Sequence, residues 1–109
     1  MGVITERELA AYLTFADEAE KTEGKQEKMR GIDSIIIEEA KEGGFFLVLD
    51  LTYKAKGTVL YTARGITKTW ANLNTLVSYI KTLESPKTPI RVQLRGPNEN
   101  QNTIDKGDA

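Results

Sequence analysis

The sequence predicts one small α+β domain, and three observations carry that reading. Apolar residues recur at helical spacing in "ITERELAAYLTFADEAEKTEG" and in "NLNTLVSYIKTLES". "FFLVLDLTY" is a nearly continuous apolar run, whereas "PIRVQLR" alternates apolar and polar residues. These are the patterns of a central strand and of a half-buried strand. Glycine-bearing turn segments separate the periodic ones. The expected order is two N-terminal helices, then an antiparallel sheet of three to four strands, with one further helix before the last strand. Both helical blocks are expected on one face of the sheet. Residues 1–95 form the domain, and the polar, Asn-rich 96–109 read as a disordered tail.

Each element has a local reason. Thr5 with Glu8 three residues later is a capping box for the first helix, and Leu9, Tyr12, Leu13 and Ala16 make its apolar face. Phe15 falls off that face. In the second block, Met29, Ile32, Ile36 and Ala40 share a helical stripe, and Gly43-Gly44 can stop a helix. A helix is expected there. The β-branched triplet Ile35-Ile36-Ile37 fits a short strand as the alternative. "FFLVLDLTY", "KAKG" and "TVLYTAR" read as strand, turn and returning strand. Gly65 permits another turn, and "TKTW" fits a short strand. Asn72 caps a helix that buries Leu73, Leu76, Val77, Ile80 and Leu83, and Ser85-Pro86 ends it. In "PIRVQLR", Ile90, Val92 and Leu94 should face inward, with Arg91, Gln93 and Arg95 outward.

Composition narrows the chemistry. The 109 residues contain no cysteine and no histidine. Disulfides, thiolate metal sites and the commonest general base are therefore absent. No catalytic residue, metal site or cofactor is expected, and the chain reads as a non-enzyme. Asp50 would be costly if buried mid-strand, so it should face the open side and pair with Arg91, Arg95 or Lys68. A catalytic Asp50 is the weakest reading. The N-terminus lacks the basic start and apolar run of a signal peptide, and "FFLVL" is too short to span a bilayer. A soluble cytoplasmic protein with no membrane contact is expected.

The net charge of −1 conceals a partition. Residues 1–43 hold 6 Lys/Arg against 11 Asp/Glu, whereas residues 44–95 hold 8 against 2. Such asymmetry suggests nucleic-acid contact, although the same cations serve equally well as ordinary solubility and edge-protecting charges. For a nucleic-acid surface, Arg64, Lys68, Arg91 and Arg95 are the candidate phosphate contacts. Trp70 or Tyr61 would offer a stacking surface, with a Tyr53–Tyr61 pair as a further possibility. Trp70 also suits a structural role, stapling the start of the helix that follows it.

The segment "LVLDLTYKAKGTVLYTARGITKTWANLNTLVSYIKTL…PIRVQLR" resembles small accessory proteins of plasmids and other mobile elements, some of them partition-associated. The pattern is a hairpin, an "ARG" turn, a basic-aromatic stretch, a Leu-rich helix and a final strand, over residues 47–95. The resemblance implies a non-enzymatic accessory acting on DNA or on a DNA-bound protein. The alternative is a protein-binding regulator or inhibitor that uses its acidic helices, at Glu38 and Glu39, or an open sheet edge. Phe15 would support a homodimer through the first helix.

Overall fold

The computed structural model describes residues 2–22, 31–83 and 88–94. It contains β1 (Gly2–Thr5), α1 (Glu6–Thr22), β2 (Ile32–Glu39), β3 (Phe45–Leu51), β4 (Thr58–Tyr61), α2 (Leu73–Lys81) and β5 (Ile90–Gln93). The strands form one five-stranded sheet in the order β1-β4-β3-β2-β5. β3 is central, as its unbroken apolar run requires. The inner pairs, β2–β3 and β3–β4, are antiparallel, and the outer pairs, β1–β4 and β2–β5, are parallel. The expected tail at 96–109 lies outside the described residues.

This corrects the expected fold class. There are two helices among the described residues rather than three, and the sheet is mixed with five strands. The segment expected as a second helix is β2. Its alternation is broken by a register shift between Ile32 and Ser34, so Ile32, Ile35 and Ile37 all face the core. The expected helical stripe joins Ile32 to Ile36, but the strand puts Ile36 on the opposite face, beside Val48. Gly43 and Gly44 lie in the turn joining β2 to β3, with φ of 101° and 82°; they do not end a helix. The short strand expected at "TKTW" is reduced to two isolated bridges, Tyr61 with Thr67 and Phe45 with Trp70.

Both helices cover the same face. Leu9, Tyr12, Leu13 and Ala16 of α1 meet Ile4, Ile32, Ile35, Ile37, Leu47, Leu49, Leu51 and Leu60 of the sheet, with Leu76 and Ile80 of α2. The capping box forms: Thr5 N–H donates to Glu8 Oε1 at 2.9 Å, and Glu8 N–H donates to Thr5 Oγ1 at 3.2 Å. The Asn72 side chain accepts from Asn74 N–H at 2.7 Å and from Thr75 N–H at 3.3 Å. Both helix starts are thereby set by short-range chemistry already present in the sequence.

α1 is locked to the sheet at Gly31. The Gly31 N–H donates to Glu20 Oε2 at 2.7 Å, and its carbonyl accepts from Tyr12 Oη at 2.6 Å and from Thr52 N–H at 2.7 Å. Tyr53 N–H in turn donates to Tyr12 Oη at 3.0 Å. Burial pushes the Tyr12 phenol up from its ordinary pKa, so it stays a neutral donor. Only glycine fits here. The φ of Gly31 is +76°, and a Cβ would stand 2.5 Å from Ala16 Cβ and 2.8 Å from Tyr12 Oη.

Gly31→Ala should therefore destabilise the protein by about 2–4 kcal/mol, from backbone strain plus overpacking. Tyr12→Phe should cost about 1–2 kcal/mol, because Tyr53 N–H and the Gly31 carbonyl each lose a buried partner. Urea unfolding with an unchanged m value checks both.

Candidate interaction surface

The face of the sheet opposite the helices carries no element among those described. Strand register shows what lies there. Val3, Val59, Val48 and Ile36 stand in one row across four strands, and Arg91 ends the row on β5. Phe46 and Glu38 face each other in the neighbouring row, on the side of Tyr61. On the other side of the apolar row, Asp50 lies opposite Ser34. Val3 is 57% exposed, Val59, Ile36, Phe46 and Tyr61 are half-buried, and Val48 at the middle of the row is buried. Apolar side chains thus run across a face that no described element covers and are bounded by charges. A shallow cleft of about 550 Å³ continues from Phe46 between the 40–43 turn and the loop carrying Ile66, Thr67 and Thr69.

Asp50 holds this face together. Its Oδ1 accepts from Gly57 N–H at 2.8 Å and its Oδ2 from Ser34 Oγ at 2.8 Å. The Gly57 bond, then Ser34, then the Lys56 and Arg91 charges, hold the carboxyl below its ordinary value of 3.8. Asp50 faces the open side as expected, but its hydrogen-bond partners are a strand serine and the backbone of the β3–β4 turn. Those contacts make it a fastener of the turn.

The region around Lys68 and Trp70 is built inward. After β4 the chain turns through Thr62–Gly65 and returns, with Lys68 N–H donating to the Leu60 carbonyl at 2.9 Å. Trp70 N–H and carbonyl both bond Phe45, at 2.8 Å each. The Trp70 side chain is 9% exposed and belongs to the core. Its ring lies 5.4 Å from that of Tyr79 on α2. Lys68 Nζ sits 5.3 Å from the Trp70 ring centroid and 3.4 Å from Glu6 Oε2. Lys68 is thus engaged with an indole face and a carboxylate. Burial, with the Glu6 charge adding, pushes the Tyr79 phenol up to about 12.

The expected site residues do not converge. Arg64 is exposed at the 62–65 turn, and Lys54 and Lys56 are exposed at the opposite end of β4. Arg91 is exposed three strands from β4, roughly 14 Å at the usual strand spacing. Arg95 lies outside the described residues. Glu38 and Glu39, expected on an acidic helix, are neighbours on β2. They point to opposite faces of the sheet and share no surface. Tyr61 stands on the open face, whereas Tyr53 packs against the core beyond the end of β3. Phe15 is 55% exposed on α1 and meets Tyr53 edge-on at 5.6 Å. Sequence reasoning missed the apolar row itself. Its four members come from four strands, and their common face is set by pairing that no single segment reveals.

Among the described residues no group of three or more acidic side chains is placed to hold a metal ion, and no helix is long and apolar enough to cross a membrane. Comparison with protein-family models, with curated proteins and with solved structures found no match.

Two pH effects follow. Asp50 has a folded pKa below its unfolded one, so its stabilisation is present above about pH 4 and lost as pH falls through the folded value. Asp50→Asn should flatten that acid limb in urea titrations from pH 2 to 6 and cost about 1 kcal/mol at neutral pH. Tyr79 has a raised folded pKa, so its contribution is complete below about pH 10 and disappears as pH rises toward 12. Tyr79→Phe should reduce the alkaline loss of stability, and absorbance at the phenolate band should show one fewer late-titrating tyrosine.

Proposed function

We propose that this chain is a non-enzymatic protein-binding module that engages its partner through the face of the sheet opposite the helices. The observation that carries the reading is the row Val3–Val59–Val48–Ile36, flanked by Phe46 and Tyr61, on a face that no described element covers. An apolar band of this width with a charged margin is the usual anatomy of a protein contact. Arg91 at one end and Glu38 beside Phe46 add polar points that fix the orientation of whatever lies across the band. An amphipathic helix laid on the sheet, apolar side down, fits that geometry.

The nucleic-acid reading is the second one, and the exposed cations Arg64, Lys54, Lys56 and Arg91 favour it. It accords with the resemblance of residues 47–95 to accessory proteins of mobile elements. In this reading contact is with phosphates, because Trp70 is buried.

The two readings separate in one pair of measurements. Affinity capture from lysate of the source cells should recover a partner with the wild type and lose it with Ile36→Glu plus Val59→Glu, the variant retaining its circular dichroism. Anisotropy titration of single- and double-stranded DNA at low salt should show no binding that Arg64→Glu plus Arg91→Glu abolishes. Salt-sensitive DNA binding lost in that charge variant and retained in the apolar-face variant would replace the first reading with the second.

A further inference from the structure

β5 ends the sheet, and no element among the described residues lies beyond it. Strands at the edge of a sheet are ordinarily shielded by charge, proline, a bulge or a covering element. Ile90–Gln93 has its proline one residue earlier, at Pro89, and carries a single charge, Arg91. Pairing of Ile35 with Ile90 and Ile37 with Val92 puts Ile90 and Val92 on the helix side of the sheet. They are nevertheless 50% and 44% exposed, and Leu94, next in the alternation, is 65% exposed. The inward positions expected from the sequence thus have the right face but no cover among the described residues.

Backbone direction completes the picture. Ile35 N–H donates to the Pro89 carbonyl at 3.0 Å, so Pro89 points its backbone toward β2. By alternation Arg91 and Gln93 do the same, while Ile90, Val92 and Leu94 direct their N–H and C=O groups away from the sheet. The segment "IRVQL" is symmetric in character about Val92. An antiparallel second copy centred on Val92 sets Val92 against Val92, Ile90 against Leu94 and Arg91 against Gln93. In that register the outward-pointing residues fall in hydrogen-bonded pairs, and the arginine meets a neutral amide. Centring on Arg91 instead would bring two guanidinium groups face to face, which is unfavourable.

We infer that this protein forms a homodimer by antiparallel pairing of two β5 strands about Val92, giving a continuous ten-stranded sheet with all helices on one side. The interface rests on the edge backbone rather than on the open-face reading above, with which it shares only Arg91. It merges the two exposed apolar ribbons into one and satisfies both edges at once. Its small size implies a dissociation constant in roughly the micromolar range.

Sedimentation equilibrium on the full chain tests it. The wild type should approach twice its 12.1 kDa mass as concentration rises. Val92→Pro should stay monomeric, since it removes an outward N–H and leaves the bonds to β2 in place. Register is read separately, in a chain that has no native cysteine. A mixture of Arg91→Cys and Gln93→Cys chains should oxidise to a mixed disulfide, whereas either alone should not, its sulfurs being offset by two residues. A wild type that remains monomeric at all accessible concentrations would overturn the proposal. So would a dimer unaffected by Val92→Pro, or one in which Phe15→Cys cross-links and the mixed pair does not.

Discussion

The three hydrogen bonds at Gly31 are the constraint on which the rest of the molecule depends. The chain returns to the sheet at a residue whose N–H is held by a helix carboxylate and whose carbonyl is held by a helix phenol and a strand-end amide. The Tyr12 and Glu20 bonds are buried, so each would be expensive to leave unpaired. They also specify one geometry. α1 must lie at the height where Tyr12 reaches both Gly31 and Tyr53, and β2 must begin where Ile32 can face Leu51. Apolar packing against Leu47, Leu49 and Leu51 supplies the driving force, but it would accept a sliding helix. The polar node does not.

Fixing α1 in that place has a consequence for the whole surface. One face of the sheet receives α1, α2 and the Trp70 cluster, and the other receives no described element. The return segment from Thr67 to Trp70 reinforces this division. It bonds first to β4 and then to β3, turning the only tryptophan into the core, where Lys68 lies over its ring and pairs with Glu6 at the start of α1. An aromatic-basic stretch that reads as a ligand platform is therefore part of the structural frame. On the sheet, the described residues leave a β-branched and aromatic face and the β5 edge without a covering element.

How much of this was legible depended on whether the signal was local. The capping box at Thr5 and Glu8, the Asn72 cap, the core stripe of α1 and the central position of β3 all lie within single segments and appear as expected. β2 departs from the expected helix because the stripe through Ile32 and Ile36 joins residues that the strand places on opposite faces, and the register shift before Ser34 hides the strand's own alternation. β1 was missed because four residues that pair in parallel with a strand more than fifty positions away carry no local pattern. At the candidate sites the same rule holds. The contact of Lys68 with Glu6, the use of the Asp50 carboxylate by the Gly57 turn, and the exposure of Ile90 and Val92 all depend on neighbours that alternation cannot name.

Native-state amide hydrogen exchange is the most direct measurement of the central claim. If the Gly31 node locks α1 to the sheet, the amides of Gly31, Thr52 and Tyr53 exchange only through global unfolding, with the same opening free energy as the central strand amides of Leu47 and Leu49. Their position at the ends of β2 and β3 would otherwise predict fraying. Exchange at these three amides that is orders of magnitude faster than at Leu47 and Leu49 would contradict the account, and would place the anchor of α1 in apolar packing alone.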